Sequence, residues 1–202
     1  MPSFSNMLNI RVVLAGFSVL WLLTACGSSG PQVAAERAQL AVDAYFQALE
    51  DQPGSEQAID QGLERFALGY EDLAADDLGT AIDEIYAESL FFNDTVHTFT
   101  DRETLKAYMI QTGANLTESE VEIHQVLRDG PDVFVRWTMF FQIGEGEDAI
   151  RSNSIGISHL RFDDKGQVVL HQDYWDSANA LYSHLPIVGF VVRAAQDRLA
   201  TQ

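Results

Sequence analysis

The apolar residues of this chain follow a helical spacing in its first half and a strand spacing in its second half. Ile59, Leu63 and Phe66 recur at intervals of three and four residues, the spacing of one face of an α-helix. Between residues 120 and 175 apolar and polar positions alternate, and short glycine-containing turns separate the alternating segments. Helices followed by consecutive strands predict an α+β fold, in which helices from residues 55–112 pack against a four-stranded antiparallel meander.

Individual elements can be located from the same pattern. Pro53-Gly54 and Gly113 end two predicted helices, and Asp163-Asp164-Lys165-Gly166 is typical of a hairpin turn. The predicted helices are Val33–Leu49, Ser55–Tyr70, Asp77–Tyr86, Arg102–Gln111, a short one after Ser177 and a last one after Pro186. The predicted strands are Leu90–Phe92, Val121–Leu127, Val133–Ile143, Ile150–Phe162 and Val168–Trp175. We expect the last helix to pack on the domain through an apolar stripe of Val188, Val191, Ala195 and Leu199.

The charge of the chain excludes one large class of partners. Its formal net charge is -18, and acidic residues are concentrated between Glu36 and Glu103. A surface of this sign repels phosphate backbones, so no nucleic-acid partner is expected. We interpret the acidic stretch as a solubilising surface, with an acidic docking patch as the alternative. The hydrophobic fraction of 47% is high enough for a packed core.

The first 25 residues have the pattern of a secretory signal peptide. Arg11 precedes an apolar run, Val12–Leu23, which is shorter than the roughly 20 residues needed to span a bilayer. Leu23-Thr24-Ala25-Cys26 resembles the lipobox of bacterial lipoproteins, in which the cysteine becomes the lipidated first residue of the mature chain. Cys26 is the only cysteine, so it forms no internal disulfide. The alternative is an ordinary signal peptide with an incidental cysteine.

A lipid on Cys26 would anchor the mature chain to a membrane. Gly27 at the next position resembles the outer-membrane sorting signal of Gram-negative lipoproteins, so we expect a location in the cell envelope, facing the periplasm. The predicted organisation is a signal peptide over residues 1–25, a lipidated tether with an N-terminal helix over 26–54, a domain over 55–185 and a C-terminal helix over 186–202.

Three segments of the chain carry a resemblance to a known family. They are residues 86–94 (Tyr-Ala-Glu-Ser-Leu-Phe-Phe-Asn-Asp), residues 159–163 (His-Leu-Arg-Phe-Asp) and residues 166–176, from Gly-Gln-Val to Asp-Tyr-Trp-Asp. They resemble the nuclear-transport-factor-2-like superfamily, in particular its SnoaL-like and ketosteroid-isomerase-like branches, over about residues 55–185. The resemblance implies a cone-shaped, curved antiparallel sheet wrapped around the N-terminal helices, an apolar pocket inside it, and a homodimer formed through the convex face of the sheet.

The ketosteroid-isomerase-like branch implies roles for four residues. Asp94 takes the position of the general-base aspartate of that enzyme, and Tyr70 that of its oxyanion-hole tyrosine, with Tyr86 in register between them. Ser158 takes the position of a protonated aspartate that completes the oxyanion hole. Because a serine hydroxyl is a less acidic donor, the resemblance implies an apolar pocket with a polar floor and does not support steroid isomerisation.

The resemblance directs Trp175 toward the pocket, and strand alternation then adds His171 and Asp173 to this candidate site. Side chains two positions apart in a strand share a face, so His171, Asp173 and Trp175 point the same way. A histidine beside a carboxylate can transfer protons near neutral pH. A structural pair at the rim of the sheet is the alternative. Asp94 can likewise be a turn residue, and Tyr70 a core tyrosine.

The candidate site consists of two groups of residues. The candidate catalytic residues are Asp94, Tyr70, His171 and Asp173, and the candidate ligand-binding residues are Trp175, Ser158, Tyr86 and Phe92. The histidines have no metal-binding spacing, so neither a metal nor another cofactor is expected.

Three functions are compatible with these residues. We expect a small hydrophobic ligand that is bound without turnover. One alternative is an acid–base enzyme of isomerase, cyclase or dehydratase type with Asp94 as general base. The other is an envelope interaction module. The sequence does not decide whether the protein is an enzyme.

Replacing Cys26 tests the lipoprotein interpretation. In the Cys26→Ala variant no thiol is available for lipid attachment, so we expect unprocessed precursor to accumulate or the protein to leave the membrane fraction. The measurement is immunoblotting of membrane and soluble fractions beside the wild type. A variant that is processed and fractionates with the membrane as the wild type does would contradict the interpretation.

Overall fold

The computed structural model of the protein describes residues 31–200. The predicted signal peptide and the predicted lipidation site Cys26 lie outside these residues. The helices are α1 (Pro31–Asp51), α2 (Ile59–Tyr70), α3 (Leu78–Ile85), α4 (Arg102–Gly113), α5 (Ser177–Ala180) and α6 (Val188–Ala200). The strands are β1 (Tyr86–Asn93), β2 (Thr98–Asp101), β3 (Glu118–Asp129), β4 (Asp132–Ile143), β5 (Ile150–Phe162) and β6 (Val168–Trp175).

The described residues fall into two compact units that divide after Asp43. The first contains the beginning of α1, where the apolar side chains of Val33, Leu40 and Val42 are exposed. The second contains all six strands and the remaining helices.

One six-stranded sheet lies at the centre of the second unit, in the order β2-β1-β6-β5-β4-β3. Strands β3 to β6 pair antiparallel with their neighbours, so the predicted meander is confirmed. The predicted α+β class with a curved sheet is also confirmed. β1 pairs with β6 in parallel, which makes the sheet mixed and not wholly antiparallel. This pairing is compatible with the chain because the whole meander, and no tight hairpin, separates the two strands.

The structure differs from the sequence prediction around Tyr86. The third predicted helix included this residue, but α3 ends at Ile85 and Tyr86 begins β1 with extended backbone. Tyr86 is buried, so its apolar character fits either element and the pattern could not separate them. Strand β2 was not predicted, because its side chains are mostly exposed. Helix α2 begins at Ile59 and not at Ser55, whose hydroxyl accepts a backbone hydrogen bond within the preceding turn.

Helices α2, α3 and α4 pack against one face of the sheet, which we call the inner face. The core between them combines helix and strand side chains, among them Phe66, Ile82, Leu105, Val135 and Leu160. Each such side chain contributes roughly 1.5–3 kcal/mol when it is removed from water. The apolar stripes of the helices and the alternating side chains of the strands therefore meet in one core.

The end of α1 is held on the opposite, outer face of the sheet. The guanidinium of Arg161 donates hydrogen bonds to two carbonyl groups at the end of this helix. The last carbonyl groups of a helix have no donor within the helix, and Arg161 supplies one here. The buried ring of His159 lies between the Asp132 carboxylate and the Tyr45 hydroxyl. Burial lowers the pKa of His159, so its ring serves as a neutral link. A small apolar cluster completes the contact and contains Ala48, Phe91 and Leu170.

The last helix, α6, does not pack through the stripe predicted for it. Val191 and Leu199 are 59% and 73% exposed. The helix instead approaches the preceding turn through Gly189, where a β-carbon would lie 2.2 Å from the carbonyl oxygen of Ser183. Arg193 donates to the same oxygen, so close backbone approach and polar bonds decide which side of the helix faces the domain. Among residues 31–200, no helix is both long and apolar enough to cross a membrane.

Gly156 allows the indole ring of Trp137 to lie against strand β5. The two residues are partners across β4 and β5, and a β-carbon at position 156 would lie 2.3 Å from the ring. Real β-carbons do not approach other atoms this closely, so any side chain at position 156 must displace the indole.

We expect Gly156→Ala to lower the free energy of unfolding by about 1–3 kcal/mol, because the indole has to leave its packed position. The measurement is chemical denaturation followed by tryptophan fluorescence. Ser154→Ala is the matched control, since Ser154 is buried on the same strand and its hydroxyl has no hydrogen-bond partner within residues 31–200. The control should change stability by less than about 0.5 kcal/mol. Wild-type stability in the Gly156→Ala protein would contradict this packing.

Candidate functional site

A cavity of about 390 Å³ lies between the inner face of the sheet and helices α2 and α4. Its walls are mostly apolar and aromatic, and they include Phe66, Leu73, Phe92, Met109, Val121, Ile123, Trp137, Met139, Phe141 and Trp175. This size and this lining are typical of small-molecule sites. In the part of the chain that the structure describes, no group of three or more His, Cys, Asp or Glu side chains is arranged to hold a metal ion.

Five connected side chains, which we call the polar cluster, lie at one side of the cavity: Tyr70, Tyr86, Ser158, His171 and Asp173. The His171 ring is at its centre and only 1% exposed. Its Nδ1 lies 2.5 Å from the Tyr86 hydroxyl, and its Nε2 lies 2.8 Å from Oδ1 of Asp173. The Tyr86 hydroxyl lies 2.5 Å from the Tyr70 hydroxyl. Ser158 donates to Oδ1 of Asp173 at 2.5 Å, which closes the cluster.

The polar cluster is assembled from elements that are distant in sequence. Tyr70 is the last residue of α2, and Tyr86 is the first residue of β1. Ser158 on β5 lies directly opposite Asp173 on β6, so sheet register brings their side chains together. The indole N–H of Trp137 on β4 donates to the Ser158 hydroxyl at 2.9 Å and extends the network by one strand.

Asp94 lines the same cavity from the turn that follows β1. Its Oδ1 accepts two backbone N–H groups of that turn, at 2.8 and 2.7 Å, as in a turn stabilised by its own aspartate. Its Oδ2 accepts a hydrogen bond from Tyr108 at 2.5 Å, and its carbonyl accepts the indole N–H of Trp175 at 2.7 Å. Both carboxylate oxygens of Asp94 are therefore occupied by donors from the protein.

Burial raises the pKa of the phenols around the cavity. The pKa values of Tyr70 and Tyr86 lie well above the ordinary value, chiefly because a buried phenolate would lose its hydration. The pKa of Tyr108 is raised for the same reason and by its hydrogen bond to the Asp94 carboxylate. All three phenols therefore stay protonated at neutral pH, where they donate or accept hydrogen bonds and do not act as bases.

The structure brings all but one of the predicted site residues to the cavity wall. Those on the wall are Tyr70, Phe92, Asp94, Ser158, His171, Asp173 and Trp175. Tyr86 lies behind the wall and takes part through its hydroxyl. The catalytic and ligand-binding roles of these residues remain predictions. Sequence reasoning missed Tyr108 and Trp137, although Trp137 continues the alternation of Val133 and Val135 and could have been found from it.

A sequence model of the SnoaL-like domain matches residues 67–171, slightly more than half of the chain. The chain belongs to the SnoaL-like domain family. The matched residues run from α2 into β6 and include Tyr70, Asp94, Ser158 and His171, so most of the candidate site belongs to the SnoaL-like domain. The resemblance to this branch inferred from the sequence is confirmed. Among curated proteins, none matches the chain.

Solved structures share the fold of this SnoaL-like protein at low sequence identity. An LEH-like epoxide hydrolase from M. tuberculosis aligns with a TM-score of 0.50 and 20% identity over 62% of this chain and 87% of its own. TsrD from Streptomyces laurentii aligns with a TM-score of 0.50 and 14% identity, over 62% of this chain and 92% of its own. SalBIII, an epoxide hydrolase/cyclase-like enzyme in pyran ring formation, aligns with a TM-score of 0.51 and 14% identity, over 61% of this chain and 96% of its own. Identities this low establish the fold alone.

Proposed function

We propose that this SnoaL-like protein binds a small hydrophobic molecule in the cavity and holds the polar end of that molecule against the polar cluster. The observation that carries the proposal is the contrast within one cavity, in which apolar walls surround a single connected group of polar side chains. Burying the apolar part of a ligand contributes about 25 cal/mol for each Å² removed from water. The few polar groups would fix its orientation.

Two features favour binding over turnover. Asp94, the predicted general base, already receives hydrogen bonds on both carboxylate oxygens, so it has little capacity left for a ligand proton. The Ser158 hydroxyl donates to Asp173 and not into the cavity, so it does not complete an oxyanion hole beside Tyr70.

Acid–base conversion of the ligand is the second candidate, and the hydrogen-bond chain from Tyr70 through Tyr86 to His171 favours it. A proton taken up at Nδ1 of His171 would reverse both bonds and turn the Tyr70 hydroxyl hydrogen toward the cavity. In this alternative Asp94 or Asp173 removes a proton from the ligand, and Tyr70 stabilises the oxyanion that forms. Deuterium uptake from D₂O into a co-purifying ligand would support conversion, and its absence would favour binding alone.

We further propose that a lipid on Cys26 holds the domain at the outer membrane, on the periplasmic side. The support is the apolar run followed by Leu23-Thr24-Ala25-Cys26 and then Gly27. A domain anchored in this way lies close to the bilayer, so a hydrophobic ligand would travel only a short distance between the membrane and the cavity.

Filling the cavity should abolish binding. As the probe we choose 1-naphthylmethanol, a neutral aromatic alcohol that is small enough for the cavity. Met139 lies in the cavity wall, so Met139→Trp places a bulky indole ring where the ligand would lie. We expect at least about tenfold weaker binding by this variant than by the wild type, because the two groups compete for one volume. The measurement is isothermal titration calorimetry of the full-length protein in detergent micelles, with the heat of protein-free micelles subtracted.

Ile155→Trp is the matched control for this experiment. Ile155 is 57% exposed on the outer face of the neighbouring strand, so the same large side chain is added outside the cavity. Its affinity for the probe should equal that of the wild type. Equal binding by the wild type and the Met139→Trp protein would contradict the proposed function. So would a wild type that binds neither this alcohol nor a charged molecule with the same naphthyl body.

A further inference from the structure

The hydrogen-bond directions in the polar cluster determine which polar group a ligand can present to it. Asp173 fixes these directions, because an ionised carboxylate only accepts hydrogen bonds. Its Oδ1 lies 2.8 Å from Nε2 of His171, so that nitrogen carries the ring proton. With the single ring proton on Nε2, Nδ1 accepts the hydroxyl hydrogen of Tyr86, 2.5 Å away.

The other hydrogens of the cluster are also used inside the protein. With the Tyr86 hydrogen directed to His171 in this tautomer, the Tyr70 hydroxyl donates the bond between the two phenols. Ser158 donates its hydrogen to Asp173. The atoms left for a ligand are therefore acceptors: a lone pair of the Tyr70 oxygen, and Oδ2 of Asp173, which accepts no hydrogen bond from residues 31–200.

The charge around the cavity also favours a ligand that donates hydrogen bonds, and in particular a cation. Asp94 and Asp173 both line it, and no lysine or arginine does so within the described part of the chain. Its remaining imidazole, His97, is exposed to solvent. The walls include the rings of Trp137 and Trp175, and the faces of aromatic rings attract cations.

We propose that the ligand is a hydrophobic amine, a molecule with an apolar body and one ammonium group. The proposal rests on the proposed function and specifies the chemical class of its ligand. The ammonium group donates hydrogen bonds to Oδ2 of Asp173 and to the Tyr70 oxygen, while the apolar body lies against Phe66, Met139 and Phe141. Its charge compensates a carboxylate that is only 14% exposed and has no lysine or arginine partner in the cavity wall. A carboxylate ligand would meet two like charges and no free donor in the polar cluster.

Three probes with the same naphthyl body separate charge from hydrophobicity. They are 1-naphthylmethylamine, which is a cation at pH 8, the neutral 1-naphthylmethanol, and the anion 1-naphthoate. By the same calorimetry on the full-length protein, we expect the amine to bind about tenfold or more tightly than the naphthoate, with the alcohol between them.

Asp173→Asn and Asp148→Asn distinguish the cavity from the overall negative charge of the chain. Asp148 is exposed in the turn after β4, so replacing it makes the net charge less negative by the same amount without touching the cavity. The amine-over-naphthoate preference should fall severalfold in the Asp173→Asn protein, where Asp94 still lines the cavity, and remain unchanged in the Asp148→Asn protein. The order of the three probes on the wild type is the second measurement, which decides the matter even if Asp173→Asn does not fold.

The outcomes distinguish the ligand class from the proposed binding function. A naphthoate or alcohol affinity equal to that of the amine would overturn the ligand class and leave the proposed binding function standing. A preference for the amine that is undiminished in Asp173→Asn, or that falls equally in Asp148→Asn, would also overturn it, because the preference would then come from charge outside the cluster. Failure of all three probes to bind would overturn both proposals.

Discussion

A buried imidazole needs a hydrogen-bond partner for each of its two nitrogens, and in this protein that requirement connects the core to the cavity. The ring of His171 is surrounded by aromatic side chains, with the Phe92 and Phe66 rings centred 4.9 and 5.5 Å away. Water cannot satisfy either nitrogen in such a place, and an unpaired buried group costs roughly 1–3 kcal/mol. Tyr86 from the start of β1 and Asp173 from β6 supply the two partners. The α3–β1 junction and the end of β6 are therefore fixed relative to each other.

The same bonds give the cavity its chemical character. Asp173 uses one carboxylate oxygen to hold Ser158 and His171, which leaves the other oxygen for a ligand. Trp137 supports Ser158 from the next strand, and it reaches that position only because Gly156 has no side chain. Residues that stabilise the fold thus also orient the candidate site, as a preorganised site requires. In the proposed function, the apolar walls contribute affinity for the ligand, and the polar cluster fixes its orientation.

Some of this arrangement followed from the sequence because its physical basis is local. Strand alternation alone was enough to direct His171 and Asp173 to one face, since neighbouring side chains of a strand must point to opposite sides. Asp94 and Tyr70 came from their match to a known family and not from their own surroundings. Asp94 proved to be both a turn residue and part of the cavity wall, so the two interpretations of its role are not exclusive.

Other features depend on contacts between distant elements and had no local signal. The parallel pairing of β1 with β6 brings Tyr86 to His171, and nothing near either residue in sequence indicates it. Tyr108 reaches Asp94 only because α4 lies over the end of β1, so a helical pattern alone could not assign it to the site. The apolar stripe of α6 was misjudged because close approach at Gly189 and polar bonds outweigh hydrophobic periodicity in a helix with few contacts to the core.

The protonation of His171 is the point on which the account depends most directly. Its ¹⁵N chemical shifts can be measured by NMR at neutral pH in protein labelled on histidine and assigned with a His171→Gln variant. The account predicts a neutral ring with the proton on Nε2, bound to Asp173, and an unprotonated Nδ1 that accepts from Tyr86. A proton on Nδ1, in either the other tautomer or the imidazolium form, would contradict it, because the Tyr70 hydrogen would then be free to point into the cavity.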